Sequence, residues 1–135
     1  MAIRVAINGF GRIGRAFARR SYNRGIEIVA VNDLGSLENL AYLLKYDTVY
    51  GRAPFSVEAR EGALLIDGKE VKFFSEKDPA QLPWKDLAID VVVESTGFFT
   101  DYEKANVHIT AGAKRVVITA PVKNESPLGA TVLMG

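Results

Sequence analysis

The sequence contains no cysteine, which removes disulfides, thiolate metal sites and cysteine nucleophiles from its 135 residues. That composition is compatible with a reducing compartment, and a cytoplasmic setting is expected. Histidine occurs once, at position 108, so a His-rich metal site is not expected. No apolar run approaches the ~18 residues of a membrane span. The first residues enter a strand-like run without a basic segment and apolar stretch ahead of it, so no signal peptide is expected. Neither sign of charge dominates: 17 basic side chains face 16 acidic ones, for a net charge of +1. Nothing in that balance calls for nucleic acid or an anionic membrane as partner. What remains is 48% hydrophobic and 24% charged, the composition of a soluble globular domain. Its length suits one domain with a real core.

One stretch organises the rest: Asn8-Gly9-Phe10-Gly11-Arg12-Ile13-Gly14-Arg15. It follows the apolar run from Ile3 to Ile7 and leads into helical spacing, the context in which G-x-G-x-x-G carries meaning. Gly9 would let the chain reverse sharply, Gly11 would let a pyrophosphate approach the backbone, and Gly14 would let the helix pack close to the strand. The N–H groups of the first helical turn, with the helix dipole, then make an anion site. A glycine-rich corner without a ligand is the plain alternative. Asn32-Asp33 weighs against it, because Asp33 lies about twenty residues past Gly14, where a dinucleotide fold places an acid on ribose hydroxyls. A carboxylate there repels a 2′-phosphate, and no Lys or Arg intervenes before Lys45. NAD is therefore expected over NADP.

Periodicity places strands over 3–7 and 26–31 and a helix over 12–22, with Ile13, Ala16, Phe17 and Arg20 on one face and Asn23-Arg24-Gly25 as its stop. Arg15, Arg19, Arg20 and Arg24 read as a solvated face. Leu37, Leu40, Ala41 and Leu44 give a second helical stripe behind a Ser36 N-cap. Strand–helix–strand–helix order implies right-handed crossovers and a parallel sheet. Period two then takes over. Short antiparallel strands are expected over 56–60, 63–66 and 69–74, turned at Glu61-Gly62 and Asp67-Gly68, the last of them a candidate to join the main sheet. Residues 75–85 read as a loop with one short helical turn, and Trp84 as a packing anchor. A buried strand over 89–93 ends in Glu94-Ser95-Thr96-Gly97, which puts Thr96 and Gly97 on the ligand side of an open α/β sheet. Phe98 and Phe99 are candidates to wall an adenine pocket. A helix over 102–111 should end at Gly112, with His108 near its end as a solvated side chain or a favourable charge against the helix dipole. Another buried strand over 115–118 is followed by Thr119, again on the ligand side. A loop over 123–128 and a last strand over 130–134 complete the expectations.

These residues resemble the phosphorylating glyceraldehyde-3-phosphate dehydrogenases. The likeness is carried by Ile7 to Arg15, Val31-Asn32-Asp33, Leu44-Lys45-Tyr46-Asp47-Thr48, Glu94 to Phe99, Ala111-Gly112-Ala113-Lys114 and Ala120-Pro121, and it runs the whole chain. It implies an α/β, Rossmann-type, doubly wound and mostly parallel sheet with a small antiparallel hairpin insertion, filling residues 1–135 as an incomplete NAD-binding domain. It implies roles for Arg12 and Ile13 at the pyrophosphate, Asp33 at the adenosine ribose, Lys77 on the adenine side largely through its backbone, Thr96 and Gly97 along the cofactor, and Thr119 near the nicotinamide. The family's nucleophilic cysteine segment has no counterpart here, and His108 does not match its general base. No catalytic residue is therefore expected in this chain, and glyceraldehyde 3-phosphate and phosphate are expected as partners only of the full-length enzyme. A homotetramer is implied by family. Erythrose-4-phosphate dehydrogenase shares the fold and fingerprint and stays open as a reading, as does a stand-alone nucleotide-binding module. RNA binding through the arginine-rich first helix sits poorly with the near-neutral charge.

Overall fold

The computed structural model describes residues 2–22, 24–47, 51–96 and 106–119. The expected contributions of Gly97, Phe98 and Phe99, the first part of the 102–111 helix, the 123–128 loop and the 130–134 strand lie outside these residues.

The elements run β1 (Ile3–Asn8), α1 (Arg12–Ser21), β2 (Ile26–Asn32), α2 (Leu37–Lys45), β3 (Tyr46–Asp47), β4 (Gly51–Arg52), β5 (Val57–Arg60), β6 (Ala63–Ile66), β7 (Lys69–Phe74), a 3₁₀ turn (Pro79–Gln81), β8 (Val91–Glu94), α3 (Val107–Thr110) and β9 (Arg115–Ile118). Seven strands form one sheet in the order β5-β6-β7-β2-β1-β8-β9, while β3 and β4 pair separately. From β7 through β9 every pairing is parallel, and β5 and β6 are antiparallel additions. The chain steps outward from β1 to β2 and β7, then returns to the other side of β1 as β8. The strand order thus reverses beside β1, and the carboxyl ends of β1 and β8 border the switch point where open α/β sheets bind ligands.

The inner strands are buried on both faces, which explains their near-continuous Val, Ile and Ala content. Val5, Ile7, Val31 and Val93 point to the side of α1 and α2, where Ala18, Leu40, Ala41 and Leu44 close the core. Ala6, Ala30 and Val92 point to the opposite side, beneath Leu82, Trp84, Ile89 and Ala113. One irregularity breaks the alternation. Val5 pairs with Ile28 but Ala6 pairs with Ala30, so Val29 is a surplus residue in β2. As a bulge requires, Val29 and Ala30 both enter the Trp84-side cluster.

The predicted hairpin strands match closely. The Asp67-Gly68 pair turns β6 into β7 with φ values of 49° and 78°, the left-handed pair a tight hairpin needs. Asp67 also accepts from the Ser56 N–H at 2.8 Å and from the Tyr22 hydroxyl. β7 then joins β2 in parallel, as the pattern suggested. Ser36 caps α2 by accepting from the Asn39 N–H.

Three expectations need correction. The buried stripe of α1 is Gly14, Ala18 and Ser21, with Phe17 partly buried, whereas Ile13 is 54% exposed. Ile13 lies one residue, about 100°, round the helix from Gly14 and so falls off the stripe that meets the sheet. Arg19 is not simply solvated: it donates to the carbonyls of Leu44 and Gly51 at 2.9 and 2.8 Å, tying α1 to the end of α2 and to β4. β9 is half-exposed rather than buried, since among the described residues it forms the edge beside β8.

Candidate functional site

A hollow of about 240 Å³ opens at the carboxyl ends of β1, β2 and β8, lined by Gly9, Gly11, Asp33, Leu34, Lys77 and Thr96 among others. A larger hollow of about 460 Å³ lies at the amino ends of the strands, against Ile26, Ile28, Ile66 and Val71. It has neither the fingerprint glycines nor a helix start facing it, so size does not make it the site.

The three glycines of the turn differ physically in the way the motif requires. Gly9 has φ +93°, and a Cβ there would lie 2.7 Å from the Thr96 nitrogen. A Cβ on Gly14 would lie 2.4 Å from the Gly9 carbonyl oxygen and 3.1 Å from the Ile7 side chain, so any larger residue would push α1 off the sheet. A Cβ on Gly11 would meet no protein atom within 4 Å, although Gly11 lines the hollow. Its bareness therefore serves something other than internal packing. The turn is held on both sides: the Gly9 N–H donates to the Asn32 carbonyl at 2.8 Å, and the Ser95 hydroxyl donates to the Gly9 carbonyl at 2.6 Å.

The start of α1 has no side-chain cap and no acidic residue in its first turn, so among the described residues its opening N–H groups have no anion from the helix itself. Arg12 and Ile13 occupy that turn and are exposed. This is the arrangement that favours a phosphate. Asp33 stands across from it at the end of β2. Its Oδ2 accepts from the Phe10 N–H and its Oδ1 from the Gly35 N–H, each at 2.7 Å, which fixes the carboxylate beside the glycine turn. Lys77 is exposed on the rim. Asn32 also lines the hollow, but its side chain is engaged inside the protein, donating to Asn8 Oδ1 and the Glu76 carbonyl and accepting from the Glu76 N–H. Thr119 stands apart at the end of β9, where its N–H and hydroxyl both reach the Glu94 carbonyl at 3.1 Å. The expected site residues Gly97 and Phe99 are outside the described residues. The donor set fits a dinucleotide: uncapped helix N–H groups for phosphate, an acid for ribose and a bare glycine between them.

Sequence reasoning missed a buried cluster under this hollow. His108 was expected in solvent but is fully buried. Trp84 Nε1–H donates to His108 Nδ1 at 3.0 Å, and His108 Nε2 lies 2.7 Å from Glu94 Oε1. Asn8 donates to the same Glu94 oxygen at 2.7 Å, while the Thr96 N–H and hydroxyl donate to Glu94 Oε2 at 3.0 and 2.6 Å. Burial pushes the Glu94 carboxyl up, but the hydrogen bonds from His108, Thr96 and Asn8 outweigh it and hold the group below its ordinary 4.5. The one textual signal was a charged residue directly after the apolar run Val91-Val92-Val93, mirrored by Asn8 and Asn32 at the ends of β1 and β2.

Comparison with known proteins agrees with this geometry. Residues 3–102 match the family described as "Glyceraldehyde 3-phosphate dehydrogenase, NAD binding domain". A glyceraldehyde-3-phosphate dehydrogenase of Thermotoga maritima is 56% identical over 135 residues, covering 98% of this chain and 40% of that protein. One from Clostridium acetobutylicum is 56% identical over 123 residues, 90% of this chain and 37% of its own length. Glyceraldehyde-3-phosphate dehydrogenase 1 of Streptomyces avermitilis is 53% identical over 137 residues, 100% of this chain and 40% of its own. The chain thus spans about two fifths of the length of these relatives. A Rossmann-type sheet, a glycine turn in which Gly9 and Gly14 are sterically required while Gly11 is bare at the hollow, and an acid across from an uncapped helix start agree with sequence identity above one half, and the chain belongs to the glyceraldehyde-3-phosphate dehydrogenase family as its NAD-binding domain.

Proposed function

We propose that this chain cradles NAD for a phosphorylating glyceraldehyde-3-phosphate dehydrogenase, and that Gly9, Gly11, Arg12, Ile13, Gly14, Asn32, Asp33, Lys77, Thr96, Gly97, Phe99 and Thr119 form its cofactor site. NAD, when bound, accepts the hydride given up as the aldehyde is oxidised to an acyl phosphate. The residues of this chain bind and orient. The first turn of α1 meets the pyrophosphate through backbone N–H groups, Asp33 takes the adenosine ribose hydroxyls, and Lys77 flanks the adenine side. Glyceraldehyde 3-phosphate, inorganic phosphate, the nucleophilic cysteine and the general base belong to the longer protein, which is proposed to work as a cytoplasmic homotetramer. This chain by itself is then a binder without turnover.

The observation that supports this reading best is the pairing of Asp33 with the uncapped start of α1 across one hollow. Calorimetry with NAD, ADP-ribose and NADP tests it. NAD and ADP-ribose should bind more tightly than NADP. Asp33→Ala should weaken NAD by about tenfold, the scale of a lost charge-assisted hydrogen bond, and narrow the gap to NADP. Equal affinity for NAD and NADP in the unaltered chain removes the role given to Asp33.

A further inference from the structure

A row of buried side chains runs across the strand ends at the hollow, which Asn8 and Asn32 line. Asn32, Asn8 and Glu94 are the last residues of β2, β1 and β8 and stand in register across the sheet. All are 4% exposed or less. The hydrogen-bond direction along the row is fixed at both ends. An indole N–H can only donate, so His108 Nδ1 must offer its lone pair to Trp84, and the ring proton sits on Nε2, aimed at Glu94 Oε1. From the other side, Asn32 Nδ2 donates to Asn8 Oδ1, which turns the Asn8 amide nitrogen toward the same Glu94 oxygen. With the Thr96 N–H and hydroxyl on Oε2, four donors converge on one carboxylate. A carboxylate has about four acceptor sites, so the set is filled. A glutamine of the same shape has one oxygen, and an NH₂ in place of Oε2 would face the Thr96 N–H donor to donor.

What this carboxylate places is Thr96. The Thr96 nitrogen, Cα and Cγ2 crowd the spot where a Gly9 Cβ would stand, at 2.7, 2.8 and 2.8 Å. Thr96 is therefore pressed directly onto the first glycine of the turn. The main chain of Glu94 holds Thr119 as well, through two bonds to its carbonyl. We infer that Glu94 is a positioning residue for dinucleotide binding: its buried carboxylate, steadied by His108 and Asn8, fixes Thr96 against Gly9 and so sets the mouth of the crevice. The inference rests on the reading of that crevice as the NAD site.

Calorimetry with ADP-ribose on the full chain, together with thermal melts and ¹⁵N NMR of its single histidine, tests it. The unaltered chain should show His108 protonated on Nε2. Glu94→Gln should weaken ADP-ribose about tenfold, measured well below its melting temperature. His108→Leu, which removes the donor to Glu94, should also weaken it. His108→Gln keeps a donor for Glu94 and an acceptor for Trp84, and should restore most of the affinity. The two His108 variants decide the matter even where Glu94→Gln does not fold. Equal affinities for His108→Leu and His108→Gln, wild-type affinity in Glu94→Gln, or a proton on His108 Nδ1 overturns the inference alone. An unaltered chain that binds no ADP-ribose overturns the cofactor reading and this inference with it.

Discussion

The two faces of the sheet are closed by different chemistry. On the side of α1 and α2 the contacts are hydrocarbon: Leu40, Leu44, Val31, Val93 and their neighbours meet with no buried charge between them among the described residues. On the other side Trp84 covers small residues, Ala6 and Ala30, and its indole reaches into the Glu94, His108 and Asn8 network at the strand ends. Hydrocarbon packing is sensitive to volume and tolerant of which apolar residue supplies it. A buried polar network depends on the donor pattern, because each unpaired group loses its solvation without recompense. The same sheet should therefore respond to mutation by two different rules.

The strongest test sets large truncations on the two faces side by side. Trp84 is fully buried and packs edge-on against Phe74 with ring centroids 6.2 Å apart. Trp84→Ala should cost about 3–5 kcal/mol in urea unfolding, and Leu44→Ala about 2–5 kcal/mol. The gentler pair separates the faces. Leu44→Met should cost less than about 1.5 kcal/mol. Trp84→Phe should retain a penalty of about 1–3 kcal/mol, because His108 Nδ1 is left without its donor. Equal costs for these two swaps would erase the distinction.

Acid titration sharpens it next. The folded Glu94 carboxyl is held below its ordinary 4.5, so the unfolded chain binds its proton first. Its contribution is fully present above about pH 4.5 and is lost as pH falls through the lower folded value. Asp67 and Asp90 are also held below their ordinary 3.8, Asp67 chiefly by the Tyr22 hydroxyl and Asp90 by the Arg4 N–H, and extend the decline to lower pH. Unfolding measured from pH 7 to 3 should show Leu44→Ala displaced evenly at all pH values. Glu94→Gln should instead lose the part of the slope that begins near pH 4.5. Parallel curves for both variants would count against a charged Glu94 in the folded chain.

The smallest effect belongs to the rim of the hydrocarbon face. Ser36→Ala removes the cap of α2 and should cost about 1 kcal/mol, read as a modest fall in melting temperature that does not vary with pH in the acid range.

The hydrocarbon face was largely legible in the sequence and the polar edge was not. Runs such as Ile3 to Ile7 and Val91 to Val93, the leucine stripe of α2 and the Asp67-Gly68 turn each carry their structure in a window of a few residues. The glycine turn did too, since its spacing lies within a few residues, although only Gly9 and Gly14 answer a steric need inside the protein. His108 was misread because nothing near it announces burial. Its partners Glu94 and Trp84 lie 14 and 24 residues earlier and meet it only when the sheet and α3 are in place. Ile13 failed for another reason: helical spacing says which residues share a face, but not which face the sheet takes, and here it takes Gly14, Ala18 and Ser21. Asp33 was found by counting from the glycines, and the structure sets it beside the turn, on the Phe10 N–H.

That count conceals an irregularity. Val29 is taken up in the bulge of β2 and advances the strand by no step of its own along β1. The interval between the glycines and the acid is therefore not a plain ruler, because one of its residues measures no length. In an unbulged ladder of the same sequence, Asn8 would sit beside Val31, and Asn32 and Asp33 would each lie one step, roughly 3.3 Å, too far out. A relative with a regular second strand would build the same crevice with its acid one residue nearer the glycines. A motif search that insists on a fixed spacing would pass over it.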